Sequence, residues 1–334
     1  MQSVGRMQVI PLILDMPEDN RFTSPEILWI KNRDYGSINL DNRGDVTTIA
    51  PVGATYLTKQ SAQDHAIMNA ELVKAKSGVE VDTAACVQSS QGGTIRNEQT
   101  ELLILPYALR EASIGMRKTK RYNKLWDDIG KFNKLAKCGS GSEHLEYFVK
   151  THESTMDDFV AQFEIVPGQV GAIVLIDGEV YGVERAPNCQ YWEGVWSPLI
   201  RMCYGSQAII ADLEDKAKKG PRTSNAMLNP LPSDVEDLDD IEEALKEADE
   251  QYSEASMDVV RNLLDDEFKR EDVARQSFLT DEKETVNLDR VTVSNDQFVG
   301  QVFQDGPQVC YASMVTKKGW KKHASWRAAP AFDA

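Results

Sequence analysis

Between residues 168 and 184 apolar side chains recur at every second position on the way into an Asp-Gly pair and return after it. Val170, Ala172, Val174 and Ile176 come first, Asp177-Gly178 follows, and Val180 and Val183 resume the pattern. Period two on both sides of an Asp-Gly pair specifies a β-hairpin with a type I′ turn. Residues 297–304 and 308–316 repeat the design around Asp305-Gly306, and 290–294 is a further strand. Gly171…Asp177-Gly178 and Gly300…Asp305-Gly306 read as one hairpin used twice. The last strands are therefore expected to complete the sheet that the first hairpin begins.

Residues 1–106 carry short strand signals at 9–14, 27–30, 37–40, 47–49, 54–57, 66–73, 79–83 and 101–105, with Gly, Pro, Asn and Asp between them. Tyr122, Leu125, Trp126, Ile129, Phe132 and Leu135 then recur at helical spacing. Leu145, Phe148 and Val149 predict a second helix, and Met156, Phe159, Val160 and Phe163 a third. After the hairpin, Trp192, Val195, Trp196, Leu199, Ile200 and Cys203 form a Trp-rich helix. Ser197-Pro198 either starts a fresh helix there or kinks a longer one. The fold class is α+β. A β-rich sandwich or barrel-like sheet over 1–110 precedes a helical layer. The hairpin-based α+β unit over 111–216 and 289–316 is interrupted by a linker and acidic helical insertion at 217–288. A basic-aromatic tail, 317–334, ends the chain.

Charge supports that division. The 334 residues carry a net charge of −16. Residues 233–290 hold 21 acids and 7 bases, a net of −14, so the rest of the chain is near neutral at −2. Ser233 and Glu236 form a capping box, and apolar stripes run through Leu238, Ile241 and Leu245, then Val260, Leu263 and Leu264. Two acidic helices of this kind are either a solvated hairpin or a docking surface for a basic partner. The residues that would meet a protein partner are Glu236, Asp237, Asp239, Asp240, Glu242 and Glu243. Nucleic acid is disfavoured there by like charge. The tail interleaves Lys317, Lys318, Lys321, Lys322 and Arg327 with Trp320 and Trp326, which suits either a frayed end or stacking on bases.

Familiar catalytic patterns are missing. There is no GxGxxG, Walker A, GxSxG or HExxH. The five cysteines form no CxxC pair, which argues for a reducing cytoplasm and against zinc. His144 and His152 are eight residues apart, about 12 Å of helical rise, too far for one metal. Cys86 with His65 is a candidate nucleophile pair, against a buried strand cysteine. No cofactor, metal or membrane contact is expected, and the location expected is the cytoplasm.

One stretch is distinctive: Val166-Pro-Gly-Gln-Val-Gly-Ala-Ile-Val-Leu-Ile-Asp-Gly-Glu-Val-Tyr-Gly-Val-Glu184, then Trp196-Ser-Pro-Leu-Ile-Arg-Met-Cys-Tyr204. It resembles the ADP-ribosylglycohydrolase and rhodanese-phosphatase-associated protein domain family, with its "PGQVGA" hairpin and "LWP.L.RSY" helix. Asn42-Arg-Gly-Asp45 is similar to the family's "NRGD" turn, Thr58-Lys-Gln60 to its "AKQNR" loop, Cys86-Val-Gln88 to "SCVEQGRW", and Leu109-Arg110 to "SLR". Ser61-Ala62 and Gln88-Ser-Ser-Gln-Gly92 depart from it. The divergence suits a bacteriophage-encoded member, whose setting would be the host cytoplasm. The resemblance implies a link to ADP-ribose, NAD or nucleotide metabolism by association.

Lys59 and Gln60, with Arg96 or Arg110 nearby, would hold a phosphate or pyrophosphate. Gln88 and Gln169 would read a nucleotide edge or ribose hydroxyl, or else cap sheet ends. Glu184 would act as a base or bind a ribose, or else cap the next helix or pair with Arg185. Trp192 and Trp196 would form a stacking wall or lie in the core. Three functions remain open on these grounds. The first is an accessory protein binding ADP-ribose or a nucleotide. The second is an inhibitor or adaptor that meets a protein partner, as in phage counter-defence. The third is a hydrolase using Glu184 or Cys86.

Overall fold

A computed structural model of the chain describes residues 1–13, 19–31, 34–57, 63–89, 96–139, 142–218, 267–280 and 283–317, without the side chains of 96–97 and 215–218. Lys59, Gln60, the six acidic partner candidates, both acidic helices and the tail beyond Lys317 lie outside the described residues.

Hairpin chemistry sets the architecture. β1 (Gln2–Val4) and β2 (Met7–Ile13) pair first. Short strands follow: β3 (Phe22–Thr23), β4 (Trp29–Lys31), β5 (Ile38–Asn42), β6 (Thr47–Ala50), β7 (Ala54–Tyr56), β8 (His65–Ala66), β9 (Glu71–Val73), β10 (Ser77–Val81), β11 (Ala85–Cys86), β12 (Arg96–Glu98) and β13 (Leu102–Ile104). Helices α1 (Tyr107–Gly115), α2 (Trp126–Leu135) and α3 (Leu145–Val160) form the helical layer. Then come β14 (Gln169–Ile176), β15 (Glu179–Arg185) and α4 (Cys189–Ser197). A π-helical segment, Pro198–Tyr204, leads into α5 (Gly205–Lys218). The described chain ends in β16 (Lys269–Leu279), β17 (Thr285–Ser294), β18 (Phe298–Asp305) and β19 (Gln308–Thr316).

The class is α+β. Eight strands form one antiparallel sheet in the order β1-β2-β14-β15-β19-β18-β17-β16. It is two four-stranded meanders, β1-β2-β14-β15 and β16-β17-β18-β19, joined along β15 and β19. Gly171 faces Arg185 as Gly300 faces Met314. One residue earlier on each return strand, Glu184 and Ser313 face each other across the junction. The suspected duplicate hairpin is thus a pseudo-two-fold repeat of half the sheet, with residues 14–168 inserted into the first half. That insert carries three smaller sheets, β10-β5-β4-β12, β11-β8-β7-β13 and β3-β6-β9. The main core joins Ile30, Ile49 and Ile104 of the insert to Val174, Trp192 and Phe303. All eight residues of β14 are buried, which explains its almost unbroken apolar run.

Several elements differ from the sequence reading. The first turn is type I′ as expected, with Asp177 at φ 52° and Gly178 at φ 76°. The second turn is Gly306-Pro307 rather than Asp305-Gly306, because Asp305 pairs with Gln308. Gly306 at φ 56° takes the first position, as a type II′ turn requires. The single strand expected over 66–73 is two, β8 and β9, in different sheets. The helices expected around 145 and 156 are one, α3, whose apolar face runs through Leu145, Phe148 and Met156. Helix α1 has no counterpart in the sequence reading, because Arg110 and Ser113 make two of its five buried residues polar. Strand structure returns at Lys269, earlier than expected. The charges of β16 mask its period, since this edge strand buries only Phe278. Ser197 itself is helical, so Ser197-Pro198 opens no fresh helix. The chain continues through a π segment, where the missing proline N–H is tolerated.

Candidate functional site

Two buried polar networks contain the described candidates. The first gathers residues from α1, β15, the π segment and β19. Arg110 is fully buried and forks onto Glu184, with Nη1 on Oε1 and Nη2 at 3.3 Å from Oε2. Nη2 also donates to Ser313 Oγ, and Nε donates to Val52 O at 3.2 Å. The Tyr204 hydroxyl donates to Glu184 Oε1 at 2.7 Å. Gly182 makes that approach feasible, because a Cβ there would collide with the Tyr204 ring and hydroxyl. Burial lowers the Arg110 guanidinium pKa and the Glu184 carboxylate more than reverses that, leaving the cation firmly charged. Burial pushes the adjoining Cys203 thiol up to about 12.

The side chains of Arg110 and Glu184 are 0% and 4% exposed, so this pair is sealed from solvent. Leu109-Arg110, Gly182…Glu184 and Tyr204, three separate fragments of the distinctive pattern, are one packing unit at the axis of the two meanders. Glu184 neither pairs with Arg185 nor caps the next helix. Arg185 donates to Val309 O, and Asn188 Oδ1 caps α4 by accepting from Tyr191 N at 2.7 Å. Trp192 and Trp196 are core residues, 1% and 6% exposed. Gln169 holds its own bend, accepting from Val166 N at 3.0 Å and donating to Gly171 O at 2.9 Å. The Asn42-Arg-Gly-Asp45 fragment is a stapled turn, in which Asn42 donates to Val46 O and Val73 O and accepts from Gly44 N.

The second network reaches the surface. Gln88 is 3% exposed and donates through Nε2 to the buried Asp64 carboxylate. Its Oε1 lies 3.0 Å from His144 Nδ1, and His144 Nε2 lies 3.4 Å from Ser89 Oγ. His144 and Ser89 are partly exposed. Backbone pairing holds the four residues in place. Val87 N donates to Asp64 O, Leu145 N to Val87 O and Ser89 N to Glu143 O, all at 3.0–3.1 Å. Asn133 Nδ2 of α2 pins the lead-in to α3 by donating to Ser142 O and His144 O. Nearby, Trp126 Nε1 donates to Cys86 O at 3.0 Å, and Cys86 N donates to Tyr122 O. Tyr122 lies between Trp126 and Tyr35, with ring centroids 5.6 and 5.0 Å away. Tyr35 and Tyr122 are exposed, giving a stacking face that the sequence reading did not find.

Cys86 and His65 face each other across β11 and β8 but do not form a nucleophile pair. Both ring nitrogens of His65 engage the backbone, Nε2 accepting from Gly36 N and Nδ1 meeting Gln63 O. Cys86 Sγ donates to Gln88 O, and burial raises its pKa. Burial lowers His65 from 6.5 to about 4, partly opposed by its bond to Gln63. The folded state therefore binds fewer protons than the unfolded state between these pH values. Stability from this residue is complete above pH 6.5 and declines as the pH falls toward 4, by about 3 kcal/mol. Urea midpoints of the wild type and His65→Gln measured over that range should fall more steeply in the wild type.

Arg96 lies on β12 opposite Lys31. Among the described residues, Gln88 and Glu184 belong to separate networks, so these two candidates do not share one site. No group of His, Cys, Asp and Glu that could hold a metal occurs among them, and no described helix is long and apolar enough to cross a membrane. The model of one protein family matches residues 1–291, and its description is the ARG and Rhodanese-Phosphatase-superfamily-associated Protein domain. No curated protein and no solved structure matches the chain.

Proposed function

From the premise that the chain belongs to the ARG and Rhodanese-Phosphatase-superfamily-associated Protein domain family, we propose that it is an accessory protein binding ADP-ribose, NAD or a related nucleotide. Its site is the surface end of the Asp64–Gln88–His144–Ser89 network. The observation that carries this reading is the contrast between the two networks. Arg110–Glu184 is closed, whereas Gln88 is anchored from below by Asp64 and ends in an imidazole and a hydroxyl within reach of solvent. Those groups suit ribose hydroxyls. The exposed Tyr35 and Tyr122 rings suit a base. Lys59, Gln60 and Arg96 complete the reading as phosphate-binding residues, because in the sequence 58–62 precede Asp64 and 90–96 follow Ser89. A cytoplasmic setting, and a phage-encoded origin, belong to the same reading.

Millimolar ADP-ribose or NAD should raise the melting temperature of the intact protein. Occupancy at a hundred times Kd stabilises by about 2.7 kcal/mol. Tyr122→Ala should reduce the shift. No shift with either ligand would refute the reading.

A second reading rests on charge. Since 233–290 holds −14 of the net −16, a basic protein partner would dock on Glu236, Asp237, Asp239, Asp240, Glu242 and Glu243. Deleting 233–264, which spares β16, should abolish a pull-down while the body stays folded. An unchanged partner set would count against it.

A further inference from the structure

We propose that Ser89 is a nucleophilic hydroxyl activated by His144, so that the site can accept an acyl or phosphonyl group and cleave carboxylic esters. This deepens the binding reading, resting on the same site but on no particular ligand.

The direction of each hydrogen bond is fixed from the buried end. The amide nitrogen of Gln88 donates to Asp64 Oδ2, so this end of the amide faces the carboxyl. Gln88 Oε1 is therefore the atom facing His144 Nδ1 at 3.0 Å. An amide oxygen carries no proton, so Nδ1 must carry the hydrogen. In neutral imidazole the lone pair is then on Nε2, 3.4 Å from Ser89 Oγ. The hydroxyl is the partner left to donate. One carboxylate thus selects an amide orientation, the amide selects a tautomer, and the tautomer leaves a base facing a hydroxyl.

The order of roles is that of a nucleophile, a base and an orienting group. An amide takes the orienting place, as the Asn does in papain-like cysteine proteases. Apo enzymes commonly hold the nucleophile–base contact somewhat long. The base and its orienter sit on clamped segments, since Ser89, Val87 and Asn133 all bond the 142–145 lead-in. The sealed His65 shows the contrast. Its two nitrogens are bound by backbone, and it is fully buried.

The chemistry balances without a cofactor. Ser89 Oγ attacks the ester carbonyl, the O–C bond forms, and the Oγ proton passes to His144 Nε2. The alcohol leaves with that proton. Water, deprotonated by the same nitrogen, then releases the acid and restores the hydroxyl. With a fluorophosphonate the Oγ–P bond forms, the Oγ proton passes to His144 Nε2, the P–F bond breaks, fluoride leaves, and the adduct stays on serine.

Incubating the full chain with a fluorophosphonate should give one adduct by intact mass, mapped to Ser89. Ser89→Ala should carry none, and His144→Gln should be labelled at least about 100-fold more slowly at an unchanged urea midpoint. Nitrogen-15 spectra of the His144 ring should show hydrogen on Nδ1. Asp64→Asn should remove that preference and slow labelling, an effect that a merely structural carboxylate would not have. No adduct on Ser89 in the folded wild type, or equal labelling of His144→Gln, would overturn the proposal. ADP-ribose binding without an adduct would overturn this proposal alone. An adduct without ligand binding would leave it standing and remove the nucleotide reading.

Discussion

Replacing Glu184 by Ala should lower the unfolding free energy by about 3–5 kcal/mol. The guanidinium of Arg110 is wholly buried, and without the carboxylate its charge has no counter-ion among its described hydrogen-bond partners. The Tyr204 hydroxyl loses its acceptor in the same change. Removing both charges is different. Arg110→Met with Glu184→Leu keeps the volume and leaves no buried ion, so the double variant should recover most of the loss or exceed the wild type. Urea unfolding of the two variants would show this. A double variant as unstable as Glu184→Ala would mean that the pair does more than hold the two meanders together.

Gly171→Ala and Gly300→Ala should each destabilise by about 3 kcal/mol or more, for one shared reason. A Cβ at Gly171 would collide with the carbonyl oxygen of Glu184, and one at Gly300 with that of Ser313. The obstacle in both cases is ladder backbone, which cannot move aside without opening the hairpin. Gly115→Ala is the control. Its Cβ would meet nothing within 4 Å, and alanine is favoured in a helix, so it should be neutral or slightly stabilising. Matching losses at 171 and 300 would support the internal repeat energetically. A large loss at only one would show that the halves are no longer equivalent.

The large sheet was legible in the sequence because its hairpins are written locally, in period two and in turn residues. The second turn was misplaced by one residue because Asp-Gly is a strong signal while Gly306-Pro307 is a rarer one. Helix α1 was illegible because its buried face includes Arg110 and Ser113, which read as polar until their partners arrive from β15 and β19. The same reason hid the identity of the distinctive motif. Arg110 and Glu184 look like site residues in one dimension, whereas in three they satisfy one another together with Tyr204. Gln88 was legible as a candidate, but Asp64 and His144 were not linked to it. They come from a loop end and a helix start, brought together by backbone pairing that no spacing rule encodes. His144 was weighed only against His152, which instead bonds Ala136 O at 2.9 Å.

The central claim is that ligand is met at the Gln88 network and not at the Arg110–Glu184 pair. The four histidines provide the readout. In a titration of the intact protein with ADP-ribose followed by histidine ring resonances, His144 should shift saturably, while the buried His65 and the Ala136-bound His152 stay in place. Stabilisation by the ligand with His144 unmoved would contradict the account.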